Sequence, residues 1–267
     1  MFQSRGIKGL LAHVECLIFD LRYGVDTSER THNHSLQKTY ATTSTTSIYS
    51  SLQQWLLLTR NSPVKQPQHF SDRVTANLTQ SVLFYELGSG KGKVLMLLLK
   101  LLFKAPPPLD LVHIYAIEVD KPLFIVSLRN LLHYVPSALR VPFLDASIAS
   151  NTINLTLDSC QPRIQLSLVN IDLHSYELSN LSVENLAIYI CDSLPPQEII
   201  AYISSIYNLL SRKGLPSFYI IYHNPRYISQ ILDSFGSRAK VVIDRYSKGY
   251  TPCLLYTSDA ADDTPCV

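Results

Sequence analysis

The feature that narrows the fold most is a β-rich apolar run, residues 82–87, that ends in Gly88-Ser89-Gly90-Lys91-Gly92 and opens at once into a helical pattern over 91–104. Strand, tight turn and helix start follow one another without a spacer. Glycine at every second position of such a turn lets the backbone come close to a ligand at a helix N-terminus. Three glycines there lower stability unless something needs them. The geometry suits a nucleotide-like cofactor.

Spacing separates the cofactor classes. A dinucleotide fingerprint needs G-x-G-x-x-G, but the third residue after Gly90 is Lys93, and Gly92 comes one position too early. A phosphate-binding P-loop needs G-x-x-x-x-G-K-[ST], yet Gly92-Lys93 is followed by Val94 and preceded five positions earlier by Leu87. What remains is an acidic residue two positions before the first of three alternating glycines, with Lys91 carrying no argument for phosphate.

Downstream of the turn, short apolar runs alternate with longer helical patterns, the signature of a mostly parallel sheet wrapped by helices. Strands are expected at 82–87, 112–118, 164–170, 186–191, 217–222 and 240–244, with helices at 91–104, 122–134, 196–211 and 226–235. Pro106-Pro107-Pro108 stops the first helix. Residues 136–162, rich in Ser, Asn and Thr, read as an insertion or variable loop. Residues 1–80 break the alternation with helices around 7–19 and 48–58 and a Ser/Thr stretch at 39–47, and read as a helical extension or lid. That leaves 81–252 as the cofactor-binding domain.

The stretch 253–262 reads like the translation of a sequencing-library adapter, so 253–267 is expected to be a non-native tail.

A chain of 267 residues, 46% of them hydrophobic, can bury one α/β core. The formal charge of +2 points to neither nucleic acid nor an anionic membrane. Cys16, Cys160, Cys191, Cys253 and Cys266 form no CxxC pair, and no signal-peptide pattern opens the chain, so a cytoplasmic protein with reduced thiols is expected. The most apolar run, 94–103, is broken by Lys100 and falls short of the ~20 residues a spanning helix needs. The histidines show no metal-ligand spacing, so no metal is expected, and no basic stripe interleaved with aromatics signals specific DNA binding.

Glu86, Gly88, Gly90 and Gly92 stand in the acidic-x-G-x-G-x-G register, and here the chain resembles the class I S-adenosylmethionine-dependent methyltransferases. The resemblance implies a doubly wound, Rossmann-like α/β fold with helices on both faces. In that family the turn, with Ser89 inside it, packs against the amino-acid part of the cofactor, and the leading acid, here Glu86, helps hold its ammonium group. Glu118, closing the second strand, takes the place of the ribose-binding acid, with Asp120 as the alternative. Asp172, after the third strand, matches an aspartate that hydrogen-bonds the adenine amino group; the other reading is a turn or helix cap. The family usually carries a seventh strand, which here would fall where the adapter-like tail begins, so the final strand is expected to be lost to truncation.

Residues 19–27, Phe-Asp-Leu-Arg-Tyr-Gly-Val-Asp-Thr, also resemble a segment ahead of the glycine turn in a bacterial subgroup of undefined substrate; the likeness runs from Phe19 to Tyr246. Such a segment either closes over the cofactor and excludes water or docks as a cover for the sheet.

The acceptor side is less legible. Asp192-Ser193-Leu194-Pro195 follows the fourth strand at the carboxyl edge of the sheet, without the aromatic that grips planar nitrogens in many methyltransferases. Asp192 is a candidate to orient the acceptor or remove its proton, and equally a chain-breaking Asp before a helix. Tyr222 and Asn224, either side of His223, are further acceptor-side candidates. The expected reaction is direct displacement onto an unidentified acceptor, a small molecule or protein in preference to RNA. The rival reading is a non-catalytic module that keeps the cofactor fold and has no acceptor pocket.

Overall fold

The computed structural model describes residues 6–28, 32–33, 38–39, 44–61, 81–157, 162–173, 176, 185–191, 196–212, 217–223, 230, 233–234, 239–243 and 253–258. Two helices open the chain, α1 (Gly6–Tyr23) and α2 (Thr45–Asn61), with the two-residue strands β1 (His32–Asn33) and β2 (Lys38–Thr39) between them. The alternating region follows: β3 (Ser81–Leu87), α3 (Lys93–Lys104), β4 (Leu111–Ile117) and α4 (Lys121–Tyr134). Beyond them come β5 (Phe143–Ala149), β6 (Thr152–Leu157), β7 (Arg163–Val169), β8 (Asn185–Cys191), α5 (Pro196–Arg212), β9 (Ser217–His223), β10 (Ala239–Ile243) and β11 (Cys253–Ser258). Six of these strands match the expected ones within two residues at each end. The helix expected at 226–235 lies largely outside the described residues.

Among the described residues nine strands form one sheet in the order β10-β11-β9-β8-β3-β4-β7-β6-β5. Its centre, β9-β8-β3-β4-β7, is parallel throughout, and antiparallel pairs close both sides. Leu87 lies opposite Ile117 on β4, and on β8 it lies opposite Ile190, so three central strands end at one level. From β3 the chain builds outward through β4 to β7, then crosses back to β8 on the other side of β3. That reversal makes the carboxyl end of β3 the switch point, where open α/β sheets hold ligands.

Alternation along each strand builds two cores. Val82 and Phe84 of β3 face a layer made by α1 to α4, in which Phe19, Ile48, Leu52 and Trp55 are buried. The N-terminal helices thus share the core of the sheet. Leu83, Tyr85 and Leu87 face Ile199, Ile203 and Ile206 of α5 on the opposite side. α3 supplies more of the first core than any other element, with Leu95, Leu97, Leu98 and Leu99 all buried; each such side chain contributes about 1.5–3 kcal/mol relative to exposure.

Two expectations are corrected. Residues 143–157 form the β5–β6 hairpin, joined antiparallel to β7, within the region read as a variable loop. Its outer strand is largely exposed, Leu144 and Ile148 included, so no buried face imposes a strict alternation on its sequence. The final strand, expected to be lost, is present: β11 inserts antiparallel between β9 and β10. Leu254-Leu255-Tyr256-Thr257 has the aliphatic, aromatic and β-branched composition that suits a strand. Pairing on both sides satisfies its backbone. Among the described residues no helix is long and apolar enough to cross a membrane.

Candidate functional site

The turn after β3 takes the conformation its glycines permit. Gly88, Gly90 and Gly92 have φ of 72°, 54° and 79°, a left-handed region costly to residues with a Cβ. The N–H groups of Gly88 and Ser89 donate to the Ile117 carbonyl at 2.9 and 3.0 Å, fastening the turn to the end of β4. Gly92 donates to Ser89 O at 2.9 Å and accepts from Met96 at 3.0 Å, so it closes the turn and opens α3. A Cβ on Gly92 would lie 2.5 Å from Ser127 Oγ of α4.

Glu86 lies on the α1–α4 side of β3, almost completely buried. Among the described residues its Oε2 has no hydrogen-bond partner. Burial, and then the nearby Glu118 carboxylate, push its pKa well above the usual carboxylate range. A buried polar atom left without a partner is rare in folded proteins, and here it sits directly beneath the glycine turn.

Glu118 follows β4 and is also buried. Its Oε2 accepts from Gly90 N at 2.7 Å and its Oε1 from Asp120 N at 2.9 Å. Burial raises its pKa, while those backbone N–H groups act against the rise. Asn170 Nδ2 donates to Glu118 O at 2.7 Å, holding the end of β4 to the end of β7. Asp120, the alternative ribose partner, is buried as the N-cap of α4, where its side chain accepts from Leu123 N at 3.2 Å.

Asp172 is exposed on the turn after β7. Tyr222 is 0% exposed and packs in the core beneath α5, opposite Ile190. Asp192 and Asn224 lie outside the described residues. The structure therefore brings together Glu86, Ser89, the three glycines and Glu118 at the switch point.

A group that spacing did not reveal joins them. Lys91, wholly buried within the turn, donates from Nζ to both carboxylate oxygens of Asp26 at 2.9 and 3.0 Å. Asn130 of α4 donates from Nδ2 to Asp26 O at 2.8 Å and to Lys91 O at 3.0 Å, and its Oδ1 accepts from Asp26 N at 3.0 Å. The segment carrying Asp26 is itself folded on Asp20, whose carboxylate accepts from Thr27 N, Thr27 Oγ1 and Ser28 N. Asp26 and Asn130 are 104 positions apart, so no local pattern could have announced the contact.

No protein-family model and no curated protein matches the chain. Solved structures do. The METTL16 methyltransferase domain aligns with a TM-score of 0.46 at 11% identity, over 97% of this chain and 82% of that one. A Listeria monocytogenes protein described as a class I S-adenosylmethionine-dependent methyltransferase gives 0.45 at 11% identity, over 94% and 67%. MnmC2 from Aquifex aeolicus gives 0.41 at 19% identity, over 70% of this chain and 56% of that chain. The α/β architecture of this chain is read from its own strand order and pairing.

Proposed function

We propose that the chain is an S-adenosylmethionine-dependent methyltransferase. The observation that carries the reading is Glu86, a buried carboxyl with an unpartnered oxygen beneath a turn of three left-handed glycines. A ligand ammonium gives such a group a charge-assisted partner, and a phosphate does not. Glu118 completes the fit. A carboxylate has about four acceptor positions; the N–H groups of Gly90, Asp120 and Val119 point at it, and the capacity that remains can take a ribose hydroxyl. Lys91 is directed at Asp26, so the turn offers acidic groups to a cationic ligand. Asp172, exposed after β7, is the proposed partner of the adenine amino group.

When bound, S-adenosylmethionine supplies an electrophilic methyl group on a sulfonium sulfur. What the chain would do is alignment: Glu86, Ser89 and the glycine backbone would hold the amino-acid end and Glu118 the ribose. Orientation of this kind is enough to accelerate a direct displacement. On the acceptor side Asp192 and Asn224 are the proposed orienting groups, with Asp192 the proton acceptor where the nucleophile must lose one. Tyr222 is wholly buried in the core against α5 and is left out of the acceptor-side set. The proposed acceptor is a small molecule or a protein, with RNA the alternative.

Transfer of tritium from labelled cofactor into fractionated small molecules, protein and RNA of a cell lysate tests the activity. Label in one fraction, lost in Glu86→Gln, supports an enzyme and names the acceptor class. Cofactor binding without label in any fraction points to the non-catalytic module.

A further inference from the structure

We infer that Asp26 and Asn130 are positioning residues for the cofactor turn, acting through Lys91; the inference rests on the proposed cofactor reading. Lys91 stands between Gly90 and Gly92, two residues whose left-handed φ values define the turn. Its ammonium is buried and held by both oxygens of Asp26. Its carbonyl is held by Asn130 Nδ2 at 3.0 Å. Side chain and main chain of one turn residue are thus anchored to two elements distant in sequence. Asn130 ties the anchors together, because the same amide both donates to and accepts from the backbone of Asp26.

The consequence runs to the cofactor groups. Gly90, next to Lys91, donates its N–H to Glu118. If the Lys91 side chain leaves its slot, the peptides on either side rotate and the aim of that N–H changes with them. Removing the Asp26 carboxylate is the way to force this, since a buried ammonium deprived of a carboxylate is strongly disfavoured. The segment 20–28 is shaped for the task. Asp20 folds it back on itself, and Gly24, at φ 64°, is pressed so close to α4 that a Cβ would lie 2.7 Å from His133 Nε2. A segment that only covered the sheet needs no ion pair into the ligand turn.

The test is calorimetric titration of S-adenosylhomocysteine into the full chain and its variants, well below each variant's melting temperature, with melting recorded separately. In Asp26→Asn affinity is expected to fall about tenfold or more, equivalent to about 1.4 kcal/mol per factor of ten. Adding Lys91→Met, which removes the buried ammonium, is expected to recover most of that loss. Asn130→Asp keeps the acceptor and loses both donors; it should weaken binding in the same way, and it decides the matter where Asp26→Asn does not fold. Folded variants that bind like the wild type, with only lower melting, overturn the inference and leave the cofactor reading intact. A double variant no better than Asp26→Asn overturns the route through Lys91. A wild type that binds neither S-adenosylhomocysteine nor S-adenosylmethionine overturns the cofactor reading and the inference together.

Discussion

Gly90 donates its backbone N–H to Glu118 Oε2 at 2.7 Å, which makes the glycine turn and the acid at the end of the neighbouring strand one hydrogen-bonded unit. The carboxylate proposed to bind the ribose is the same group that stabilises the turn proposed to bind the amino acid. Glu118→Gln should disturb both. The amide must place a donor against either Gly90 N–H or Asp120 N–H, at a cost of about 1–3 kcal/mol. Urea unfolding is expected to show that loss, and titration with S-adenosylhomocysteine a weaker affinity in the folded variant.

Gly92→Ala should be destabilising for two reasons, its φ of 79° and the 2.5 Å approach of a new Cβ to Ser127 Oγ. Left-handed strain alone is worth about 1–2 kcal/mol. Ser127 Oγ is buried without a hydrogen-bond partner among the described residues, so Ser127→Ala alone should leave stability unchanged or raised. Combining the two separates strain from clash: the penalty of Gly92→Ala should be smaller in the Ser127→Ala background, and chemical denaturation of the four proteins measures it. Equal penalties in both backgrounds would assign the whole effect to the backbone.

Glu86 makes stability depend on pH with a definite sign. Burial first, then the Glu118 charge, raise its folded pKa well above the usual range, whereas in the unfolded chain it titrates at about 4.3. Between the two values the folded state holds the extra proton, so stability falls as pH rises through that window. Glu118, also raised, acts in the same direction. Glu86→Gln should flatten the slope without abolishing it. Unfolding free energies of wild type and variant from pH 5 to 8 check this, and parallel curves would contradict it.

β11 pairs with β9 on one side and β10 on the other, so ending the chain after Pro252 leaves the backbone of β9 unpaired along that edge. The shortened protein should melt lower and aggregate more readily, as exposed strand edges do. Light scattering during a thermal ramp reads both effects. A shortened chain that melts with the full one would mean that 253–258 contributes nothing to the sheet.

The parts of this fold that could be read from sequence are chiefly the strands of the parallel centre of the sheet. Strands such as Leu111–Ile117 and Asn185–Cys191 are short, β-rich and bounded by turn residues, and the glycine register located the turn to the residue. Glu86 was singled out by the family resemblance, through its register with the glycines, and Glu118 by that resemblance and its place at the end of the second strand. The β5–β6 hairpin escaped because Thr152, Asn154 and Thr156, the polar face of β6, give the segment a loop-like composition that masks the alternating Ile153, Leu155 and Leu157. β11 was discounted on the apparent origin of its residues, although their composition suits a strand. The contact between Asp26, Lys91 and Asn130 escaped for a different reason: it joins three elements far apart in the chain, and a lysine in a glycine turn looks the same whether it faces a ligand or turns inward. Spacing is blind to that choice; only tertiary packing makes it.

The central claim is that the buried carboxyl of Glu86 exists to receive the ammonium group of S-adenosylmethionine. Calorimetry at pH 7, run in two buffers of different ionisation enthalpy, tests it most directly. The account predicts binding at one site per chain, weakened in Glu86→Gln, and accompanied by proton release to the extent that the raised pKa of Glu86 leaves it protonated before the ligand cation arrives. Absence of binding by both S-adenosylmethionine and S-adenosylhomocysteine would contradict it.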